Sequence, residues 1–191
     1  AYEIRPRDWS SDVCSSDLAL FAAYLAHHGE EKTEAWLRGL KANLAQKPSG
    51  ADREVARDIA AGKCDVGFAN TYYWALMKNN EPERQAWAEA TKVLLATFQG
   101  GGTHVNLSAV ALMKNAPHKE QAMKLVEFFA SEQAQRMYAD LNYEYPLRAG
   151  VAVNPTIASY GTLKPDTIAL SDIIERKRLA STLVDKLGFD Q

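Results

Sequence analysis

The chain of 191 residues carries 22 Lys plus Arg against 24 Asp plus Glu, so it has no basic footprint for nucleic acid or an anionic membrane surface. Its 47% hydrophobic and 24% charged content is that of a soluble globular protein, long enough for one or two domains around a real core. No apolar run approaches the roughly 20 residues that cross a bilayer, and Cys14 and Cys64 show neither metal-binding nor disulfide spacing.

Ala1–Leu18 has no initiator Met, no signal-peptide pattern and no hydrophobic period. It resembles the translation of an indexed DNA-sequencing adapter: Ala-Tyr-Glu-Ile before the index, Arg5 and Pro6 on it, and Asp8 to Leu18 after it. It is set aside as non-native, which removes Tyr2, Trp9 and Cys14 from the functional candidates and leaves Cys64 as the native thiol. Native sequence is then expected from about Ala19.

Apolar residues at helical spacing (Leu20, Ala23, Tyr24, Leu25) predict a helix over Ala19–His28, closed by Gly29. Glu30–Ala45 reads as an amphipathic helix with Trp36, Leu37, Leu40 and Leu44 on one stripe. A short helix over Asp52–Ala61 follows, with Asp52 as N-cap and Gly62 closing it. Cys64–Ala69 is predicted as a buried strand that delivers the Asn-Thr-Tyr-Tyr turn, with Thr71 or Asn70 capping a helix running to Met77. Pro82–Thr91 reads as helix, Val93–Phe98 as strand, and Val105–Met113 as a longer strand after the Gly100–Gly102 turn. Beyond Pro117 come a helix carrying Met123, Leu125, Val126 and Phe129, and a second one opened by Ser131 that runs through Leu141. Val151–Thr167 is loop-rich, and Leu170–Leu187 is a terminal helix. Alternating helices and strands argue an α/β architecture with some parallel pairing.

The chemistry concentrates at Tyr72 and Tyr73, adjacent phenols that follow an apolar run and an Asn-Thr. A phenolate is a hard anionic oxygen ligand, suited to a hard, highly charged cation such as ferric iron. A multivalent cation removes the phenolic proton at neutral pH, far below where Tyr ionises in water. Ordinary half-buried aromatics at a strand-to-helix junction would give the same dipeptide. The histidines offer less: His104 and His118 stand alone in loops, and His27-His28 end a helix with no acidic partner, as exposed helix-end residues do.

Five segments resemble, in the same order, the periplasmic ferric-iron-binding proteins of ABC transporters. They are Gly29-Glu-Glu-Lys-Thr-Glu-Ala-Trp36, Ala60-Ala-Gly-Lys-Cys-Asp-Val66, Asn70-Thr-Tyr-Tyr-Trp74, Gly102-Thr-His-Val-Asn106 and Tyr143-Glu-Tyr-Pro146. The resemblance implies a fragment of a two-lobed type II periplasmic binding protein fold, one lobe mostly present and the other largely missing. Residues 19–108 and 165–191 would form the lobe carrying the Tyr pair; residues 109–164 would supply the hinge strand and part of the second lobe. It implies Fe(3+) held by Tyr72 and Tyr73, a synergistic anion with Asn70 at its site, an ABC permease as partner, a monomer, and the periplasm as location. A further ligand Tyr of the family falls, counting back from Gly29, at about Ser16, inside the adapter-like stretch. Tyr24 matches no family ligand, and Tyr143 and Tyr145 take structural roles in this reading.

The same fold with another solute (a polyamine, thiamine or an oxyanion) is the nearest alternative, and paired tyrosines suit an organic cation less well than an aromatic box with carboxylates. A ligand-sensing domain of a regulator would follow a basic helix-turn-helix segment. An enzyme is not expected: Cys64 has no matched His, and neither Gly-x-Ser-x-Gly nor His-Glu-x-x-His occurs.

Overall fold

The structure is a computed structural model that describes residues 15–47, 50–79 and 81–189. Its helices are α1 (Ser15–His28), α2 (Glu30–Ala42), α3 (Asp52–Ala60), α4 (Thr71–Lys78), α5 (Pro82–Glu89), α6 (Lys119–Phe129), α7 (Glu132–Met137), α8 (Pro155–Ala158) and α9 (Leu170–Leu187), with a π-helical turn at Tyr138–Asn142 after α7. The chain divides into two compact units, Ala1–Asn106 with Leu163–Gln191, and Leu107–Thr162.

In the larger unit, α9 packs along α1, and α2 joins both. Phe21, Ala22, Ala23 and Leu25 of α1 meet Leu37 and Leu40 of α2 and Ile173, Ala180, Leu183, Val184 and Leu187 of α9. Phe21 is fully buried, which alone stabilises the unit by about 1.5–3 kcal/mol. Gly29 takes a φ of 78°, in the left-handed region, and its N–H donates to the Leu25 carbonyl, so the turn between α1 and α2 forms where Gly29 was expected to close the helix. α1 starts earlier than the apolar pattern predicted. Ser15–Leu18 forms its first turn, where Asp17 suits the positive end of the helix dipole and Leu18 packs on the core.

A second packing centre joins α3, α4 and α5. Val55, Ala56, Trp74, Ala75, Met77 and Ala88 are buried there, and Cys64, between α3 and α4 in the chain, is buried as well. Asp52 is the first residue of α3 rather than its N-cap. Ala51 holds the cap position, and its N–H donates to Glu54 Oε2 at 3.0 Å, which frees the Asp52 carboxylate for another partner.

The predicted strands over Cys64–Ala69, Val93–Phe98 and Val105–Met113 carry no ladder. Among the described residues the bridging contact is a single parallel pair, Thr103 with Pro165. An apolar run reads as a strand from sequence, yet a strand exists only where a second backbone answers its N–H and C=O groups. Val66, on the segment expected to form a buried strand, is 56% exposed, and Leu94 and Met113 on the other two segments are 74% and 73% exposed.

In the smaller unit, Ser131 caps α7, its Oγ accepting from the Ala134 N–H at 3.2 Å, and α6 packs on α7. The π-helical turn ends at Tyr143, whose φ of 57° makes it the non-glycine residue with a left-handed backbone among the described residues.

Candidate functional site

Tyr72 and Tyr73 occupy the first turn of α4, and both are half-buried. The opposite face of the same short helix, Trp74, Ala75 and Met77, is buried against α3 and α5, and the Trp74 indole N–H donates to the Thr91 hydroxyl. That anchoring fixes the direction of the first turn. The two phenol rings lie against each other with centroids 4.4 Å apart and planes tilted by 38°. The Arg53 guanidinium sits 5.3 Å from the centroid of the Tyr73 ring. A guanidinium over a phenol ring face is a cation–π contact, and it holds the Tyr73 ring in place beside α3.

Asn70 stands at the N-cap position of α4, and its carbonyl accepts from the Tyr73 N–H at 3.2 Å. Its side chain does not cap the helix. The amide Nδ2 donates to Asp52 Oδ1 at 3.2 Å, and the backbone N–H of Asn70 donates to the same oxygen at 2.7 Å. Ser16 Oγ lies 3.5 Å from Nδ2, and Asn70 Oδ1 accepts from Asn106 Nδ2 at 3.0 Å. Asp52 and Asn106 were missed by sequence reasoning. They lie 18 and 36 residues from Asn70, and no local pattern marks a contact at that separation.

The other sequence candidates fall elsewhere. His27 does have an acidic partner: its Nε2 lies 2.7 Å from Asp166 Oδ2, contrary to the expectation that it ends a helix unpaired. The partner is 139 residues away, which no reading of the helix end reveals. His104 is half-buried with Nε2 3.3 Å from Asn106 Oδ1, and burial holds it below the ordinary histidine range against the opposing pull of Asn106 and Asp166. Tyr24 stacks on Trp36 with centroids 4.2 Å apart and planes 9° from parallel, a packing role. In the smaller unit the Tyr145 hydroxyl is buried without a hydrogen-bond partner, and burial raises its pKa. Burial, with Tyr145 and Tyr143 nearby, pushes Tyr160 up to about 12. Among the described residues no three His, Cys, Asp or Glu side chains gather as a metal cage. No helix among them is long and apolar enough to cross a membrane.

Residues 6–165 match the family of bacterial extracellular solute-binding proteins, a match that starts inside the adapter-like stretch. The chain belongs to that family. It is 38% identical over 172 residues to iron uptake protein A1 of Synechocystis, covering 90% of this chain and 48% of that relative. Among solved structures it resembles the Bordetella ferric binding protein at 50% identity and a TM-score of 0.90, over 98% of this chain and 60% of that one. It also resembles a Trichodesmium protein in complex with iron and citrate, at 33% identity and a TM-score of 0.92, over 99% of this chain and 60% of that one. This solute-binding chain carries part of the two-lobed type II periplasmic binding protein fold. It spans about half the length of the curated relatives it matches.

Proposed function

We propose that this protein is the solute-binding component of a ferric-iron importer, in which Tyr72 and Tyr73 hold Fe(3+) as phenolates and Asn70 helps to hold a synergistic anion beside them. The carrying observation is the pair of half-buried phenols on the first turn of α4, ring against ring, with Arg53 alongside. The Bordetella relative named for ferric binding and the Trichodesmium relative holding iron and citrate support the same cargo. Residues 19–108 and 165–191 form the lobe carrying the pair in this reading, residues 109–164 the hinge strand and part of the second lobe, and residues 1–18 are not native.

The chemistry is capture without turnover. Each phenolate neutralises one charge of the cation, and the anion completes its shell. The loaded protein works as a monomer in the periplasm and hands its cargo to the permease of an ABC transporter.

The test is titration with ferric citrate, followed by the visible tyrosinate-to-iron charge-transfer band. Tyr72→Phe and Tyr73→Phe should each weaken the band and the affinity, and the double variant should abolish both. Full affinity in the double variant overturns the assignment. Acid should release the iron, because protons compete with the metal for the phenolate oxygens.

A further inference from the structure

The orientation of the Asn70 amide is set from outside the tyrosine helix. A carboxylate oxygen only accepts hydrogen bonds, so Asp52 Oδ1 fixes the Asn70 Nδ2 on its own side at 3.2 Å. Asn70 Oδ1 is thereby turned toward Asn106, whose Nδ2 must be the donor at 3.0 Å. Asn106 Oδ1 is then an acceptor, and His104 Nε2, 3.3 Å away, carries the proton toward it. The direction of two amides and the tautomer of one imidazole therefore form a single consistent chain from Asp52 through Asn70 and Asn106 to His104. Asn106 is also the last residue of the larger unit before the chain passes into the smaller one.

We propose that Asn106 is a positioning residue for solute binding: by donating to Asn70 Oδ1 it holds, jointly with Asp52 on the other side, the Asn70 amide in the one orientation that keeps its NH2 group on the Asp52 side, where an anion beside the tyrosines would meet a donor. This rests on the reading of Asn70 as an anion-site residue. It ties the entrance to the tyrosine helix to the segment at which the chain leaves the larger unit. Asn106 touches neither iron nor anion in this scheme and acts through Asn70.

Asn106→Asp is the informative substitution, because it is close to isosteric and replaces the donor to Asn70 Oδ1 by an acceptor. The Asn70 amide then faces acceptors on both sides and cannot satisfy both with one orientation. The affinity for ferric iron supplied with citrate should fall about two- to tenfold, the range set by one hydrogen bond, while the position of the charge-transfer band stays unchanged. In an Asn70→Ala background Asn106→Asp should have no further effect, since its route to the site is gone. An equal loss in that background, or no loss in either, overturns the proposal. The Asn70 side-chain amide resonances of the 15N-labelled chain give a second measurement, which needs no iron. They should move on Asn106→Asp, and unmoved resonances also overturn the proposal. If instead Tyr72→Phe/Tyr73→Phe retains full iron affinity while the resonances move, the metal assignment has failed and the positioning role stands.

Discussion

His27 Nε2 and Asp166 Oδ2 lie 2.7 Å apart, joining the end of α1 to the segment that leads into α9. The Asp166 side chain is 2% exposed, and its other oxygen accepts from the Thr167 N–H at 2.9 Å and faces the Gly102 N–H at 3.5 Å. Burial pushes this carboxyl up, but the hydrogen bonds from His27 and Gly102 outweigh it and hold Asp166 below the usual aspartate range. A depressed folded-state pKa contributes stability that is complete above the ordinary aspartate value, near 4, and is lost as pH falls through the folded value. Asp166→Asn should therefore lower stability by about 1–3 kcal/mol at neutral pH. The difference from the parent should close as the pH drops from about 5 toward 2. Urea midpoints measured across that range check it, and a pH-independent difference would mean that the charge contributes nothing.

Gly102 is required by close approach rather than by turn geometry. A Cβ on it would strike the carbonyl oxygens of Lys164 and Pro165, which are backbone atoms. They cannot retreat freely, because the Thr103 N–H donates to the Lys164 carbonyl at 2.7 Å and the Asp166 N–H to the Thr103 carbonyl at 2.8 Å. Gly102→Ala should destabilise the larger unit by about 1–3 kcal/mol through overpacking. Gly100→Ala is the contrast: its Cβ meets nothing, and the cost comes from its φ of 79° alone. Thermal unfolding of the two variants should separate a steric loss at residue 102 from a backbone loss at residue 100. Equal loss of the His27–Asp166 pair in both, read from the His27 ring shifts, would contradict the steric account.

The helices were legible in the sequence because their causes are local. α9 occupies the predicted residues, since Ile173, Ala180, Leu183, Val184 and Leu187 repeat at helical spacing and Gly188 closes the helix with a φ of 58°. α5 begins at Pro82, where a missing N–H costs nothing. The Tyr pair was legible for the same reason, as two neighbouring side chains of one chemistry. What surrounds the pair was not. The links Asp52–Asn70, Asn70–Asn106 and His27–Asp166 depend on where separate segments meet, and single-residue patterns carry no record of that. The predicted strands failed on the same ground, because a ladder belongs to two segments.

The smaller unit leaves much apolar surface open. Leu107, Val110, Leu112 and Met113 are exposed in its first segment, as are Met123, Leu125 and Phe128 on α6, which buries no residue. Apolar patches of this kind on a soluble chain bind dyes and promote association. The protein should enhance the fluorescence of an apolar dye such as anilinonaphthalene sulfonate in its folded state. Met123→Lys with Leu125→Lys should reduce that signal without lowering the unfolding midpoint, since neither side chain is buried. A fall in the midpoint would show that α6 depends on those contacts.

Ser16 lies close enough to the tyrosine helix for a substitution there to test the site as a whole. Its Oγ is 3.5 Å from Asn70 Nδ2, and it sits on the first turn of α1, whose downstream residues anchor the core. The resemblance to ferric-iron-binding proteins implies a further tyrosine ligand, expected at about this position when counted back from Gly29. Ser16→Tyr should therefore add a third phenolate, tighten ferric citrate binding by at least about tenfold, equivalent to roughly 1.4 kcal/mol, and intensify the charge-transfer band. In a Tyr72→Phe/Tyr73→Phe background the added phenol should not restore binding, because one phenolate leaves most of the charge of the cation uncompensated. If Ser16→Tyr changes neither band nor affinity, residue 16 does not face the metal, and the third ligand belongs to another segment.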